Sequence, residues 1–271
     1  MYALINSPIA PLMTQPTKLC ECADEAIYGM KVEILEDAGE WALVKTHYSY
    51  EGWVEKANLL PYEGRIAEFD AMEKRVIVKG FADLMHEPKV QSWPLISLPR
   101  GAVVGVTGKT KDENWVQVVL CDGRKAWTRG TFLGELITTW DKANEAEMRR
   151  TFVDNAMQYL GTQYRWGGKT TLGIDCSGLC SMAYLMAGVI IHRDASIKPQ
   201  FCMKKIDYKD IKMGDLMFFP GHVAMYIEDG KFIHSTSREG DEGVVLATLN
   251  PADPDCRKDL LVRMQYCGSI F

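Results

Sequence analysis

Cys176 is the residue of this chain with the clearest means of doing chemistry. It lies in the tetrapeptide Asp-Cys-Ser-Gly at 175–178, and the apolar run that follows, 179–187, predicts a helix. A segment that ends in two glycines, 164–168, precedes it. A thiol in the first turn of a helix faces unpaired backbone N–H groups and the positive end of the helix dipole. Both favour the thiolate, which is the nucleophilic form. The alternative is a small buried apolar residue, and this stretch alone favours neither interpretation.

Two histidines, His222 and His234, lie on strands predicted farther along the chain. The apolar segments that predict these strands and the one before them are 214–219, 221–227 and 231–235. Asp229 and Gly230 form a two-residue hairpin signal, and a turn centred on them sets His234 opposite about position 225. Both histidines are at even positions, which is compatible with one face and a diagonal contact. The sequence therefore predicts a Cys, His, His relay.

One helix and one sheet are expected to hold these residues in place. Segment 141–160 predicts a helix that packs against the helix of Cys176, with Gly161 as its C-terminal stop. Its apolar face comprises Met148, Phe152, Ala156 and Leu160. Segments 243–249 and 261–267 predict further strands of the sheet. Cys180, one helical turn beyond Cys176, is expected to be core packing.

The N-terminal half shows an internal repeat. Short alternating segments and turns predict a small β-barrel, and a second copy follows in which two tryptophans have the same spacing of twelve positions (Trp41 and Trp53, then Trp115 and Trp127). The predicted domains are a first barrel at 1–62, a second barrel with an insertion at 63–138, and an α+β domain at 139–271.

Three separated motifs together resemble the NlpC/P60 family of papain-like cysteine peptidases, which cut peptides of the bacterial cell wall. The motifs are the tetrapeptide 175–178, the segment 221–224 (Gly-His-Val-Ala) and the segment 232–234 (Phe-Ile-His). The resemblance extends from about Met148 to the C-terminus. The two N-terminal copies resemble the bacterial SH3-type barrels that precede the peptidase domain in this family. The implied fold is α+β, with two SH3-like barrels followed by a papain-like domain.

The resemblance implies a role for each residue of the relay. Cys176 is the implied nucleophile, His222 the base, and His234 the polar residue that orients the base. Tyr164 is implied to stabilise the oxyanion. No cofactor and no metal are expected.

The resemblance also implies the substrate, which is the bond between γ-D-glutamate and diaminopimelate or lysine in murein stem peptides. A free N-terminal L-alanine is implied if Glu25 and Tyr50 of the first barrel join Asp175 in an amine pocket, which suits peptide recycling or turnover. The other implied substrate contacts are Ser177, Arg193 and Trp166. Where the family commonly has Arg-Asp-Ser, this chain has Arg-Asp-Ala-Ser at 193–196. The residues that bind the D-glutamate carboxylate are therefore not assigned.

Composition bounds these hypotheses. The chain has 271 residues, 47% of them hydrophobic and 25% charged, which is ordinary for a soluble protein. A net charge of −5 provides no basic surplus for a nucleic-acid partner, and no apolar run is long enough to predict a membrane span. The N-terminus lacks a signal-peptide pattern, so a cytoplasmic protein with reduced thiols is expected; a leader upstream of Met1 would make it secreted or periplasmic. A monomer is also expected.

Three alternatives remain open at the level of sequence. The first is an amidase or acyltransferase with the papain-like fold. The second is a wall-binding protein in which the barrels bind and the peptidase domain is vestigial. The third takes Cys176, His222 and His234 as zinc ligands, although a cysteine at a helix start is better suited to thiolate activation.

Overall fold

The computed structural model describes residues 1–61, 65–112, 114–254 and 256–271. The chain divides into two compact units, Met1–Leu136 and Ile137–Phe271. The domain boundary predicted between positions 62 and 63 lies outside the described residues. No helix in the described ranges is long and apolar enough to cross a membrane.

The first unit contains two seven-stranded antiparallel sheets. The strands of the first sheet are β1 (Tyr2–Ile5), β2 (Ile9–Met13), β3 (Cys22–Ile27), β4 (Lys31–Ala38), β5 (Trp41–Thr46), β6 (Glu51–Glu55) and β7 (Leu59–Pro61), in the spatial order β3-β2-β6-β5-β4-β1-β7. Helix α1 (Arg65–Ala71) follows. The second sheet comprises β8 (Lys74–Ile77), β9 (Phe81–Met85), β10 (Pro94–Pro99), β11 (Val103–Lys111), β12 (Trp115–Val119), β13 (Lys125–Arg129) and β14 (Leu133–Glu135), in the order β10-β9-β13-β12-β11-β8-β14.

The two sheets confirm the internal repeat, because their strands follow the same spatial order. Each strand of the second sheet holds the place of the strand numbered seven lower in the first sheet. The tryptophan spacing has the same basis in both copies. Trp53 lies opposite Leu43, two positions beyond Trp41, and Trp127 lies opposite Gln117, two positions beyond Trp115. The stretch that the sequence treats as an insertion supplies α1, β8 and β9, and these two strands hold the places of β1 and β2.

The second unit has the predicted α+β composition. Its helices are α2 (Glu145–Met157), α3 (Cys176–Leu185) and α4 (Lys258–Leu261). A two-stranded ribbon joins β15 (Lys169–Thr170) to β16 (Gly173–Ile174). A six-stranded sheet comprises β17 (Lys204–Ile206), β18 (Leu216–Phe219), β19 (His222–Tyr226), β20 (Lys231–Thr236), β21 (Gly243–Thr248) and β22 (Tyr266–Ser269), in the order β17-β22-β18-β19-β20-β21.

Helix α2 is shorter than the predicted 141–160. A 3₁₀ turn precedes it, where the side chain of Asp141 accepts a hydrogen bond from the N–H of Ala143. Phe152 is buried and stacks on Tyr184 of α3 at 4.1 Å between ring centroids, as the predicted helix pair requires. Leu160 is half-exposed, because the helix ends before the apolar pattern does.

One strand prediction in this unit is wrong in part. Segment 261–267 begins at the end of α4 and becomes strand only at β22, which starts at Tyr266. Leu260 and Cys267 are both buried in the core formed with Met217, Phe219 and Phe232. A short helix and a short strand therefore share one apolar pattern, which periodicity over so few residues does not separate.

Candidate active site

Cys176 is the first residue of α3, and Asp175 caps that helix. The Asp175 carboxylate accepts a hydrogen bond from the N–H of Gly178 at 2.6 Å. A Cβ atom added to Gly178 would lie 2.2 Å from the carbonyl oxygen of Gly168, so this helix start needs a glycine to pack against the glycine-rich loop. This close approach of the two backbone segments fixes the position of the thiol.

A buried ion pair stands beside the thiol. The guanidinium of Arg193 donates to both oxygens of Asp175 at 3.0 and 3.1 Å, and also to the Ser177 hydroxyl at 2.7 Å. The N–H of Gly167 donates to the same carboxylate at 2.8 Å. Arg193 is 1% exposed and Asp175 is 6% exposed. The resemblance implied that both side chains contact substrate, whereas this geometry engages them with each other and with the start of α3.

We expect Arg193→Ala to lower the free energy of unfolding by about 3–5 kcal/mol, because it leaves the buried Asp175 carboxylate without its counter-charge. Urea denaturation measures the loss. Arg238→Ala is the matched control: Arg238 pairs with Asp241 at 3.5 Å but its side chain is 57% exposed, so we expect a change below about 0.5 kcal/mol. Equal losses of stability in the two variants would contradict the stabilising role of the ion pair between Arg193 and Asp175. Adding Asp175→Asn to Arg193→Ala should restore part of the stability.

His222 and His234 are in direct contact. Their Nε2 and Nδ1 atoms lie 2.8 Å apart. The hairpin register differs from the sequence prediction by one residue, since Met225 pairs with Ile233 and Tyr226 with Phe232. This register places His234 opposite Ala224 and so on the face of His222, whereas pairing with position 225 would have turned it to the other face. The predicted contact is present because the turn is one residue longer than predicted.

Two contacts tie this histidine pair to the nucleophile. The backbone N–H of Val223, directly after His222, lies close enough to the Cys176 sulfur to lower the pKa of the thiol. The hydroxyl of Ser235, directly after His234, donates to the carbonyl of Ile174 at 2.7 Å. The structure thus brings Cys176, His222 and His234 into one place within the second unit. Val223 contributes only its backbone N–H to this contact, so no sequence signal reveals it.

Burial opposes charge on both members of the Cys-His pair. It raises the pKa of Cys176 to about 11, with Asp175 adding to the rise, while the N–H groups of Val223 and Ser177 and the charge of Arg193 oppose it. It lowers the pKa of His222 to about 4, and the nearby arginines Arg257 and Arg263 add to this effect. The sequence predicts thiolate stabilisation at the helix start. The structure adds burial, which favours a neutral thiol and imidazole until the proton passes between them.

The lowered pKa of His222 predicts activity well into the acid range. The thiol needs a neutral imidazole as its proton acceptor, and a pKa of about 4 keeps His222 neutral above that value. We expect kcat to stay level from pH 7.5 down to about 5 and to halve near pH 4. Rate measurements with saturating peptide test this, and an acid limb near pH 6.5, the ordinary histidine value, would contradict it.

Folding must be followed in the same buffers. The folded pKa of His222 lies below its unfolded value, so the unfolded chain binds more protons between them. Stability therefore falls as the pH drops from about 6.5 towards 4. Circular dichroism at each pH separates loss of fold from loss of the base.

The other predicted site residues fall into two groups. Tyr164 pairs with Ile174 in an isolated bridge. Burial, with the nearby negative charges of Cys176 and Asp175, raises the Tyr164 pKa to about 12, so its hydroxyl is a donor at neutral pH. Trp166 is 60% exposed and Ser177 is buried.

Glu25 and Tyr50 belong to the first unit: Glu25 is a buried residue of β3, and Tyr50 directly precedes β6. Their part in an amine pocket stays a prediction.

The zinc hypothesis lacks a matching geometry in the described part of the chain. There, no group of three or more His, Cys, Asp and Glu residues is placed to hold a metal ion. The arrangement suits a mechanism with a thiol, a base and a residue that orients the base.

Comparisons with known proteins match segments in both units of the chain. The NlpC/P60 family matches residues 161–250, and the bacterial dipeptidyl-peptidase SH3 domain matches residues 12–59. Dipeptidyl-peptidase 6 of Lysinibacillus sphaericus is 37% identical over 274 residues and is covered in full, as is this chain. A gamma-D-glutamyl-L-lysine dipeptidyl-peptidase of Bacillus cereus is 27% identical over 234 residues, 79% of this chain and 67% of the relative.

The fold is also shared with a solved structure. The crystal structure of an NlpC/P60 family protein from Bacillus cereus superposes with a TM-score of 0.79 and 21% sequence identity, and the match covers 98% of each chain. At this identity the likeness concerns the fold alone. It extends over both N-terminal sheets as well as the unit that carries Cys176.

Proposed function

This chain belongs to the NlpC/P60 family of peptidases, and from that premise we propose that it cleaves the bond between γ-D-glutamate and the diamino acid of murein stem peptides. Cys176, His222 and His234 are the proposed catalytic residues. The observation that carries the proposal is the contact of the two imidazoles at 2.8 Å beside a cysteine at a helix start. Such an arrangement suits acyl transfer through a thioester.

The proposed reaction proceeds in two steps. The Cys176 sulfur attacks the γ-carbonyl carbon as its proton passes to His222, and the imidazolium then protonates the amine of the diamino acid, which leaves as the C–N bond breaks. Water next attacks the thioester carbonyl, giving its proton to His222. The thiol reforms when the C–S bond breaks, and the peptide ends in a free γ-carboxylate.

The oxyanion of each tetrahedral intermediate needs hydrogen-bond donors. The N–H of Cys176 lies in the first turn of α3, where backbone N–H groups have no helical partner. The Tyr164 hydroxyl stays protonated because its pKa is raised to about 12. These two groups are the proposed donors, and loss of one such donor costs about a hundred- to a thousandfold in kcat.

A free N-terminal L-alanine is the second part of the proposal. The relatives are called dipeptidyl-peptidases, and one name specifies a gamma-D-glutamyl-L-lysine bond. Removal of a dipeptide requires recognition of an unblocked amine, for which Glu25 and Tyr50 are the proposed ligands from the first unit. This selectivity would spare intact wall, whose L-alanine amine is acylated, and would suit recycling of released peptides.

The experiment uses four synthetic peptides with the purified full chain. They are L-Ala-γ-D-Glu-diaminopimelate, L-Ala-γ-D-Glu-L-Lys and the N-acetyl form of each. We expect release of L-Ala-γ-D-Glu from the two free peptides, identified by mass spectrometry, and little release from the acetylated ones. No cleavage of any peptide, together with sedimentation of the protein with purified wall, would favour the wall-binding alternative.

A variant separates amine recognition from catalysis. Glu25→Gln should raise KM for the free peptides about tenfold with little change in kcat, since it removes a charge that pairs with the substrate ammonium. Glu33→Gln, on β4 of the same sheet, is the control. Equal rates on free and N-acetylated peptides by the native protein would refute the amine pocket while leaving the cleaved bond as proposed.

A further inference from the structure

A cavity lies beside the nucleophile, inside the second unit. It is open to solvent, and the empty space within it and in front of its mouth amounts to about 290 Å³. Ser177 and Val223 line it, and these residues directly follow Cys176 and His222 in the chain. A group bound in this cavity would therefore belong to a residue at or next to the bond under attack. The floor is apolar, formed by side chains such as Leu216 and Phe218.

The rim of the cavity carries the charge. His192, Asp194, Ser196 and Lys198 contribute to it. His192 is held within this loop, because its Nδ1 lies 3.2 Å from the Ser196 hydroxyl and its Nε2 lies 3.9 Å from the Asp194 carboxylate. Lys198 is exposed, and no ion pair or hydrogen bond joins its ammonium to another described residue. Among the described residues that line the cavity, Lys198 alone carries a permanent positive charge.

The proposed substrate places a matching anion on its acyl side. In a γ-linked D-glutamate the scissile carbonyl belongs to the side chain, so the α-carboxylate is free and two methylenes separate the α-carbon from that carbonyl. Arg193 is a poor ligand for this carboxylate, because it is 1% exposed and its guanidinium already binds Asp175 at two points. The cavity therefore needs another cation if it is to accept an acidic residue.

We infer that Lys198 is the specificity-determining residue for an acidic residue on the acyl side, and that its ammonium pairs with the free α-carboxylate of γ-linked D-glutamate in this cavity. The inference rests on the proposed function and extends it to a residue outside the family motifs. The apolar floor accommodates the two methylenes. Because the rim is open to water, the pair contributes to binding rather than to the chemical step.

The test compares two peptides that differ only at this carboxylate. They are L-Ala-γ-D-Glu-L-Lys and L-Ala-γ-D-isoglutaminyl-L-Lys, in which an amide replaces the carboxylate. We expect the native protein to prefer the acid about tenfold in kcat/KM, through KM. Lys198→Gln should bring the ratio close to one by raising KM for the acid, and Lys198→Arg should keep the preference.

Lys209→Gln is the matched control. Lys209 is a lysine of the same unit, with a side chain that is 76% exposed and paired with Asp207 at 3.7 Å, and we expect native kinetics from this variant. An unchanged ratio in Lys198→Gln, or equal rates of the native protein on the two peptides, overturns the inference but not the proposed function. A third outcome also overturns the inference. If the change in KM caused by Lys198→Gln depends on whether the peptide contains lysine or diaminopimelate, the leaving residue rather than the D-glutamate binds in the cavity. If the native protein cleaves neither peptide, both proposals fail.

Discussion

Replacing Cys176 with alanine is expected to lower kcat by about a thousandfold or more while the protein stays folded, because the reaction loses its nucleophile and the acyl-enzyme cannot form. The fold should persist, since the side chain sits at the first position of α3 and the cap of that helix is the carboxylate of Asp175. Peptide release is followed by mass spectrometry, and circular dichroism checks the fold. Trapping the native protein with substrate at acid pH should show a thioester adduct on Cys176.

Cys180 provides a matched control for this experiment. It lies one turn further along α3 and is 1% exposed, so Cys180→Ala makes the same change of side chain in the same helix. We expect it to keep activity within a few-fold of the native protein and to lose some stability through the small cavity that it leaves. Residual hydrolysis by Cys176→Ala at the level of Cys180→Ala would remove the nucleophile assignment.

Replacing His222 with alanine should reduce kcat by about 10²- to 10⁴-fold, because the buried thiol then has no proton acceptor. Burial raises the pKa of Cys176 to about 11, so without His222 the thiol stays protonated at neutral pH. The rate of the variant should therefore rise with pH towards the alkaline range, whereas the native rate stays level. A variant whose pH profile matches the native one would contradict the role of His222 as base.

His234 variants separate orientation from proton transfer. Burial, together with His222, lowers the pKa of His234 to about 3 and keeps it neutral, so its Nδ1 can accept a hydrogen bond from the Nε2–H of His222. An asparagine could present an amide oxygen to the same N–H. We expect His234→Asn to retain more kcat than His234→Ala, with KM unchanged in both. Equal losses in the two variants would mean that His234 acts through packing alone.

The repeat and the helix start at Cys176 could be recognised from the sequence because their signals are local. The cysteine and the apolar run that makes it a helix start are neighbours in the chain, so capping and propensity suffice to place the thiol. The spacing of Trp41 from Trp53, and of Trp115 from Trp127, reports hairpins of equal length, and the structure gives both hairpins the same register. Segment 261–267 shows the limit, because a short apolar stretch contains no full period.

The histidine pair shows what local signals leave open. Asp229 and Gly230 indicate a hairpin, but the turn that forms pairs Met225 with Ile233, one residue away from the predicted register. Side chains alternate between faces, so this one-residue difference decides whether His234 faces His222 or faces away from it. The turn residues Asp229 and Gly230 alone did not determine the register of this hairpin.

The sequence by itself determined where the residues of the proposed relay lie: a thiol at the start of a helix, and two imidazoles on neighbouring strands. The tertiary structure decided the state and partners of those groups. It paired Arg193 with Asp175, eighteen positions apart in the chain, and it raised the pKa of Cys176 while lowering that of His222 through burial. Ion pairing and desolvation depend on the distances between atoms that are remote in sequence, and these distances exist only once the chain has folded.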